Sequence, residues 1–306
     1  MIQITYNGVN ITGSVSVNLC YHDMYAGGMS DTLHLRANDV EGLWDSWGPA
    51  PGDEIRVDYD TINTGTMFLV DAIPHGGYFD IHAQSAPPSG YVKQYKAWQR
   101  VRLLQIGEEI AERHGLEFSS YGAEDQLYPY ILQDGVGDFA FLHQRAQLEG
   151  CSFQIYNKRL ILFSEAYMES MQPIETLTMG PDCDYKLFDN RPELYGSCVV
   201  SHGQYTGEFS VVNSSARVCR PEVLGGMNSD AEAKRFAKAL LRAENKNIRR
   251  GYARLTVQPG YAAGSTLNLK NSRAASWDGP VFLDHIRNDY ARNKSKLFFR
   301  KPLEGY

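Results

Sequence analysis

Up to Gly90 the chain alternates apolar and polar positions in short runs. Ile2, Ile4 and Tyr6 form the first run, Val15, Val17 and Leu19 the second, Leu33 and Leu35 the third. Ile55, Val57 and Tyr59 form the fourth, entered through a turn that Pro51 and Gly52 impose. A period of two is the pattern of a strand with one buried face. The next run, "TMFLVDAI" from Thr66 to Ile73, is apolar at both parities, which predicts a strand covered on both sides. "SAPPSG", Ser85 to Gly90, breaks the pattern and predicts a boundary, so a first β domain is assigned to 1–96.

From Trp98 the period lengthens. "RVRLLQIGEEIAERHG" places Leu103, Ile106 or Gly107, Ile110 and His114 on one helical face, with Gly115 in the position of a left-handed cap. A second helix follows in "GDFAFLHQRAQLEG", with Phe139, Leu142 and Ala146 as its inner stripe and Gly150 at its end. "SFQIYNKRLILF" predicts a hairpin turning at Asn157-Lys158. This helix-helix-hairpin block defines a small α+β domain at 97–166. "MQPIETLTMGPDCDYK" reads as loop, and strands resume at Cys198 to His202 and Glu208 to Val212. A helix at about 229–245 carries the capping box Ser229 and Glu232 and a buried side of Phe236, Ala237, Leu240 and Leu241. Strands return from Tyr252 to Pro302, so 167–306 is assigned as a second β domain containing one helix.

The two β regions share an ordered pattern. Gly52 precedes Ile55 and Val57 as Gly264 precedes Leu267 and Leu269. Gly65 precedes "MFLVDAI" as Gly279 precedes "VFLDHI", with Phe68 matching Phe282 and Ile73 matching Ile286. Each then turns into a last strand, "FDIHAQS" or "KLFFRK". The predicted fold is mainly β, with two similar barrel-like domains flanking the α+β unit. Its fold-defining positions are the turn glycines Gly52, Gly65, Gly264 and Gly279, the insert glycines Gly115 and Gly150, and the insert core residues Phe139 and Leu142.

Composition narrows the function. At 306 residues, 43% hydrophobic and 22% charged, the chain reads as an ordinary globular protein of two or three domains. A net charge of −6 argues against a specific nucleic-acid grip, which needs clustered positive charge. The N-terminus has neither a basic segment nor an apolar core of signal-peptide type, and no run reaches the length needed to span a bilayer. The five cysteines are scattered without a paired spacing and read as reduced thiols. No HExxH, GxSxG, GxxxxGK[ST] or paired-glycine phosphate motif occurs. Glu108, Glu109 and Glu112 read as a solvated helix face beside Arg113, Cys198 as a packed thiol and His202 as a surface imidazole. His114 suits a helix C-terminus, and His143 a place beside the core stripe. No catalytic residue, cofactor site or metal site is assigned, and the chain is not expected to be an enzyme.

The run "SDTLHLRANDVEGLWDSWGPAPGDEIRV", followed by "GTMFLVDAI", resembles the N-terminal part of the phage late control gene D proteins. In that family such a β domain leads into an "IAxxHGL" segment, matched here by Ile110 to Leu116. A "SDxxFLxxLAxxxG" helix follows, matched by Gly137 to Gly150, and then a strand, matched by Leu160 to Phe163. "GYARLTVQPGYAAGSTLNL" with "DGPVFLDHI" is similar to the family's second β domain. The resemblance covers nearly the whole chain, and the order of the motifs carries it.

The resemblance implies a baseplate hub subunit of a contractile phage tail or tailocin. A homotrimer would present six similar β domains to a six-fold tail tube and three chains to a three-fold spike. The implied partners are the spike protein, the tube protein, the tape-measure protein and baseplate wedge proteins. The implied location is the virion or particle baseplate, with assembly in the host bacterial cytoplasm and a neutral or acidic inner wall. Gly137 departs from the family's usual Ser and predicts a weaker helix cap. No spike segment follows the second β domain, so the needle is expected to be a separate protein. "LLQIGEEIAERHGLEF" also resembles the short helix of LysM modules, which leaves a cell-wall-directed binder or hydrolase as the alternative. Hydrolysis of a glycosidic bond would call for a carboxylate pair that the sequence does not offer.

Overall fold

The computed structural model describes residues 1–212, 216–223 and 226–306. The chain is mainly β. Its helices are α1 (Leu43–Trp47), α2 (Leu103–Arg113), α3 (Asp138–Leu148), α4 (Glu165–Ser170) and α5 (Asp230–Asn245). Among the described residues fourteen strands join into one sheet that carries both β units, and each unit wraps its own apolar core.

The repeat is present strand for strand. From one edge, the first unit runs Ser16–Tyr25, Thr32–Asn38, Tyr78–Gln84, Met67–His75, Glu54–Tyr59, Ile2–Tyr6. The second runs Asp184–Asp189, Arg249–Leu255, Lys294–Arg300, Gly279–Asp289, Thr266–Asn271, Thr176–Met179. Neighbours are antiparallel throughout, apart from the last pair of the second unit, which is parallel. One irregularity also recurs: the ladder slips between Leu69 and Asp71 in one unit and between Leu283 and His285 in the other. A β-bulge at one strand position in both units is a shared design feature.

This register corrects one match. Ala72 faces Ile81 and Ile286 faces Leu297, so Ile286 corresponds to Ala72 and not to Ile73. The sequence comparison slid by one residue because "MFLVDAI" is one residue longer than "VFLDHI". The same strand is also not covered on both sides. Met67 and Leu69 are fully buried, while Val70 is 45% and Ile73 46% exposed.

Two other expectations fail for physical reasons. The segment read as loop, which ends at Lys186, contains the strand Thr176–Met179 and the start of Asp184–Asp189, short edge strands on either side of Gly180-Pro181. The segment from Trp98 to Arg102 is strand, not helix. Trp98 and Val101 fill the middle core from the strand Lys93–Arg102, which pairs with Leu127–Gly137 before α2 begins.

The middle core also reaches further than 97–166. It draws in Cys198, Val200, Phe236, Ala237 and Leu241. Thus α5 and the three-stranded sheet of Ser197–His202, Tyr205–Ser210 and Val218–Cys219 pack there and not in the second β unit. The boundary at 96 accordingly falls inside a strand. The hairpin is as expected, with Asn157 at φ 46° and Lys158 at φ 60°, the two left-handed residues of a type I′ turn. Ser229 Oγ accepts the Glu232 amide at 3.2 Å, while the Glu232 carboxylate takes the Asn228 amide at 2.6 Å, one residue outside the usual box.

Candidate assembly surface

Among the described residues one strand pair joins the two β units in the sheet, and Val257 of the second unit also enters the first unit's core. Gly279–Asp289 lies antiparallel to Ser16–Tyr25, with His285 opposite Tyr25, Arg287 opposite Asp23 and Asp289 opposite Tyr21. The ladder extends past the strand ends through the Ala26 amide to the Asp284 carbonyl and the Tyr290 amide to the Cys20 carbonyl, each at 2.9 Å.

One face of this joint carries Asp23, His285 and Arg287, and the other, with His22 and Asn288, is buried. Asp23 Oδ1 lies 2.8 Å from Arg287 Nε and 2.6 Å from His285 Nε2. Burial pushes the Asp23 carboxyl up, but the hydrogen bonds from His285 and Arg287 and the guanidinium charge more than offset it. They hold the carboxyl below the usual carboxylate range. The His285 ring stacks between Tyr25 at 4.4 Å and Phe298 at 4.6 Å. On the opposite face, Tyr290 enters the first unit's core and Met24 and Ala26 enter the second's, so the cores interlock. Tyr290 stacks on Tyr59 at 5.0 Å and its hydroxyl lies 2.9 Å from His22 Nδ1.

The turn glycines hold matching places in the two units. The Gly52 amide donates to the Leu69 carbonyl and the Leu69 amide to the Asp53 carbonyl, each at 2.8 Å. Gly264, Leu283 and Ser265 repeat this pair at the same distances. Gly52 has φ 94° and Gly264 φ 90°, a conformation costly for any residue with a Cβ. Gly65 lies just before the bulged strand of the first unit and Gly279 opens that of the second, but Gly65 has a second duty. A Cβ there would lie 2.8 Å from the Asn157 amide nitrogen, where the hairpin of the middle unit abuts the first β unit. Lys158 Nζ to Glu54 at 2.5 Å and Tyr156 Oη to Asn63 at 2.8 Å complete that contact.

The remaining assigned residues sit away from this surface. Phe139 and Leu142 are buried in the middle core, and Gly115 and Gly150 follow α2 and α3. Glu108 and Glu112 are solvated, Cys198 is buried and His202 exposed. His114 is not a free helix-end cation. Its side chain is buried, with Nε2 2.8 Å from Asp138 and Nδ1 2.9 Å from Ser89. Asp138 also accepts from Arg113 and Gln133, tying α2 to the start of α3. His143 is half-buried beside the core, and burial lowers its pKa. Among the described residues no cluster of His, Cys, Asp and Glu could hold a metal, and no helix is long and apolar enough to cross a membrane.

Asp23, His285 and Arg287 were missed from sequence. The run Val15, Val17, Leu19 suggests an odd-numbered inner face, but a register shift between Val17 and Leu19 moves the core to Cys20, His22 and Met24. Tyr21, Asp23 and Tyr25 alternate with these, and that alternation was the available signal.

No protein-family model and no curated protein sequence matches the chain. Solved structures do. The architecture of two joined β units around an α+β unit is one that phage tail proteins share. A tail protein from Neisseria meningitidis MC58 superposes with TM-score 0.77 at 12% identity, over 98% of this chain and 95% of that one. The 43 kDa tail protein of prophage MuSo2 from Shewanella oneidensis gives 0.73 at 12% identity, over 98% and 96%. An E. coli type VI secretion component, itself similar to the T4 tail proteins gp27 and gp5, gives 0.64 at 11% identity, over 99% and 78%. At these identities the likeness is one of fold.

Proposed function

We propose that the chain is a baseplate hub subunit of a contractile phage tail or related injection particle, of the late control gene D type. Three copies close a ring of six similar β units that adapts a six-fold tail tube to a three-fold spike. The observation that carries this reading is the repeat itself: two β units with one strand order, joined edge to edge within one chain. A closed ring requires heterologous contacts, and a chain that already contains one such contact needs to make only its equivalent between copies. The likeness to tail proteins over nearly the whole chain supports the reading. In the ring, the spike and tube proteins bind the two ends and the tape-measure protein the axis, while the middle unit faces wedge proteins. The particle baseplate is its place, after assembly in the host bacterial cytoplasm.

The test is molar mass by light scattering over a range of concentrations, alone and with the spike protein. A trimer is expected, strengthened by the spike. A stable monomer under both conditions overturns the reading.

A further inference from the structure

The internal joint uses one edge from each β unit and leaves the equivalent edge of each unit open. Its strands are the first in order of unit one, Ser16–Tyr25, and the outer half of the fourth in unit two, residues 285–289. Their equivalents are Asp184–Asp189 in unit two and residues 71–75 in unit one. Among the described residues, Asp184–Asp189 pairs only with Arg249–Leu255, and residues 71–75 pair only with Tyr78–Gln84. Glu54–Tyr59 reaches the bulged strand only at Met67 and Phe68.

We infer that the edge Asp184–Asp189 of one copy adds antiparallel to residues 71–75 of a second copy, in the register of the internal joint, with Phe188 opposite Ile73. The inference rests on the ring reading above and specifies its contact between chains. Superposing the two registers places Phe188 where Asp23 stands, through Arg250 and Thr32, and Ile73 where Arg287 stands. The ion pair of the internal joint is thereby replaced by two apolar side chains. Ile73 is 46% exposed and shares its strand face with Asp71 and His75. Large apolar groups left on an open sheet edge are what a partner strand would cover.

The order of units around the ring follows from which edges are free. The internal joint occupies Ser16–Tyr25 and residues 285–289 of every chain, so only Asp184–Asp189 and residues 71–75 are left to pair between copies. Units therefore alternate one, two, one, two. Pro74 corresponds to Asn288, whose amide faces His22 in the joint, so one amide is missing from the ladder between copies and only the Leu187 amide donates at that pair. This keeps the open edge from accepting other strands readily and leaves the Ile73–Phe188 pair to decide the match.

Disulfide trapping tests the register, since directly opposed Cβ atoms in antiparallel strands lie about 4.5–5.5 Å apart. In a Cys183→Ser background, Ile73→Cys and Phe188→Cys in one chain should give covalent dimer and trimer on treatment with diamide. Either change alone should give only monomer, and a mixture of the two single variants should stop at dimer. Phe188→Asp should weaken association about tenfold or more, and Ile73→Arg added to it should restore it by rebuilding the Asp23–Arg287 pair. A trimer by light scattering that never crosslinks overturns this edge pairing and leaves the ring reading standing. Efficient crosslinking of either single variant with itself overturns the heterologous contact. A monomer throughout overturns both.

Discussion

Gly137 lies so close to Gly90 that a Cβ at 137 would sit 2.8 Å from the Gly90 carbonyl oxygen and 3.0 Å from the Tyr91 backbone. Its φ of −66° is open to any residue, so space rather than backbone conformation selects glycine here. A Ser at this helix start would cap α3, yet it would drive the α3 N-terminus off the Pro88–Tyr91 turn. Gly137→Ser should therefore destabilise the protein by about 1–3 kcal/mol, against the ~1 kcal/mol gain expected from capping alone. Thermal unfolding of the variant decides the sign.

Arg287→Ala removes one of the two partners of Asp23 at the joint between the β units, leaving His285. Arg287 is half exposed, so the loss in global stability should be small, about 1 kcal/mol. The more specific outcome concerns pH. The Asp23 carboxyl is depressed when folded, so its stabilisation is present above the unfolded value near 3.8 and is lost as pH falls below it. The variant should lose less stability than the parent between pH 5 and 3. Urea titrations at a series of pH values measure this.

Asp31 has the opposite sign. Burial pushes its carboxyl up to about 7, although its Oδ1 accepts the Tyr25 amide at 2.9 Å. The protonated form is favoured in the fold, so this group's contribution is fully present below pH 3.8 and is lost as pH rises toward 7. Asp31→Asn should be more stable than the parent at pH 8, by at most about 4 kcal/mol, and the advantage should shrink toward pH 4. Equal pH profiles for the two proteins would remove this assignment.

Leu142→Ala should cost about 2–5 kcal/mol, the usual range for emptying a fully buried leucine site. The damage should extend to α5, whose Phe236 and Leu241 share that core, and spare the first β unit around Leu35 and Ile81. Hydrogen exchange on the variant maps the loss. Protection lost in α3 but kept in α5 would divide the core where the structure joins it.

Much of the architecture can be read from residue pattern, and what cannot has identifiable causes. The repeat was legible because Gly52, Gly65, Gly264 and Gly279 punctuate strands whose inner residues, Ile55, Val57, Leu267 and Leu269, keep period two. Thr176–Met179 was not, because four residues on a sheet edge bury only Met179. The place of α5 was hidden for another reason. Its amphipathic stripe shows that Phe236 and Leu241 are buried but not against which unit. The joint was obscured by the register shift near Leu19, which turns the inner face from odd to even positions. The open edges can be recognised only once the joint is known, since Ile73 reads as core in sequence.

The joint also fixes when the chain can be completed. Tyr25 pairs with His285, so the strand Ser16–Tyr25 is made early and must wait for nearly the whole chain before its partner exists. At elongation rates of about 5–20 residues per second that interval is roughly 13 to 50 s. The strands of unit one are contiguous and can gather while the ribosome is still translating, whereas unit two needs segments from both sides of α5. Throughout that time the waiting edge carries Asp23, a lone carboxylate that discourages pairing between nascent chains. The residue that later binds the two halves together thus first serves to keep neighbouring polysome products apart.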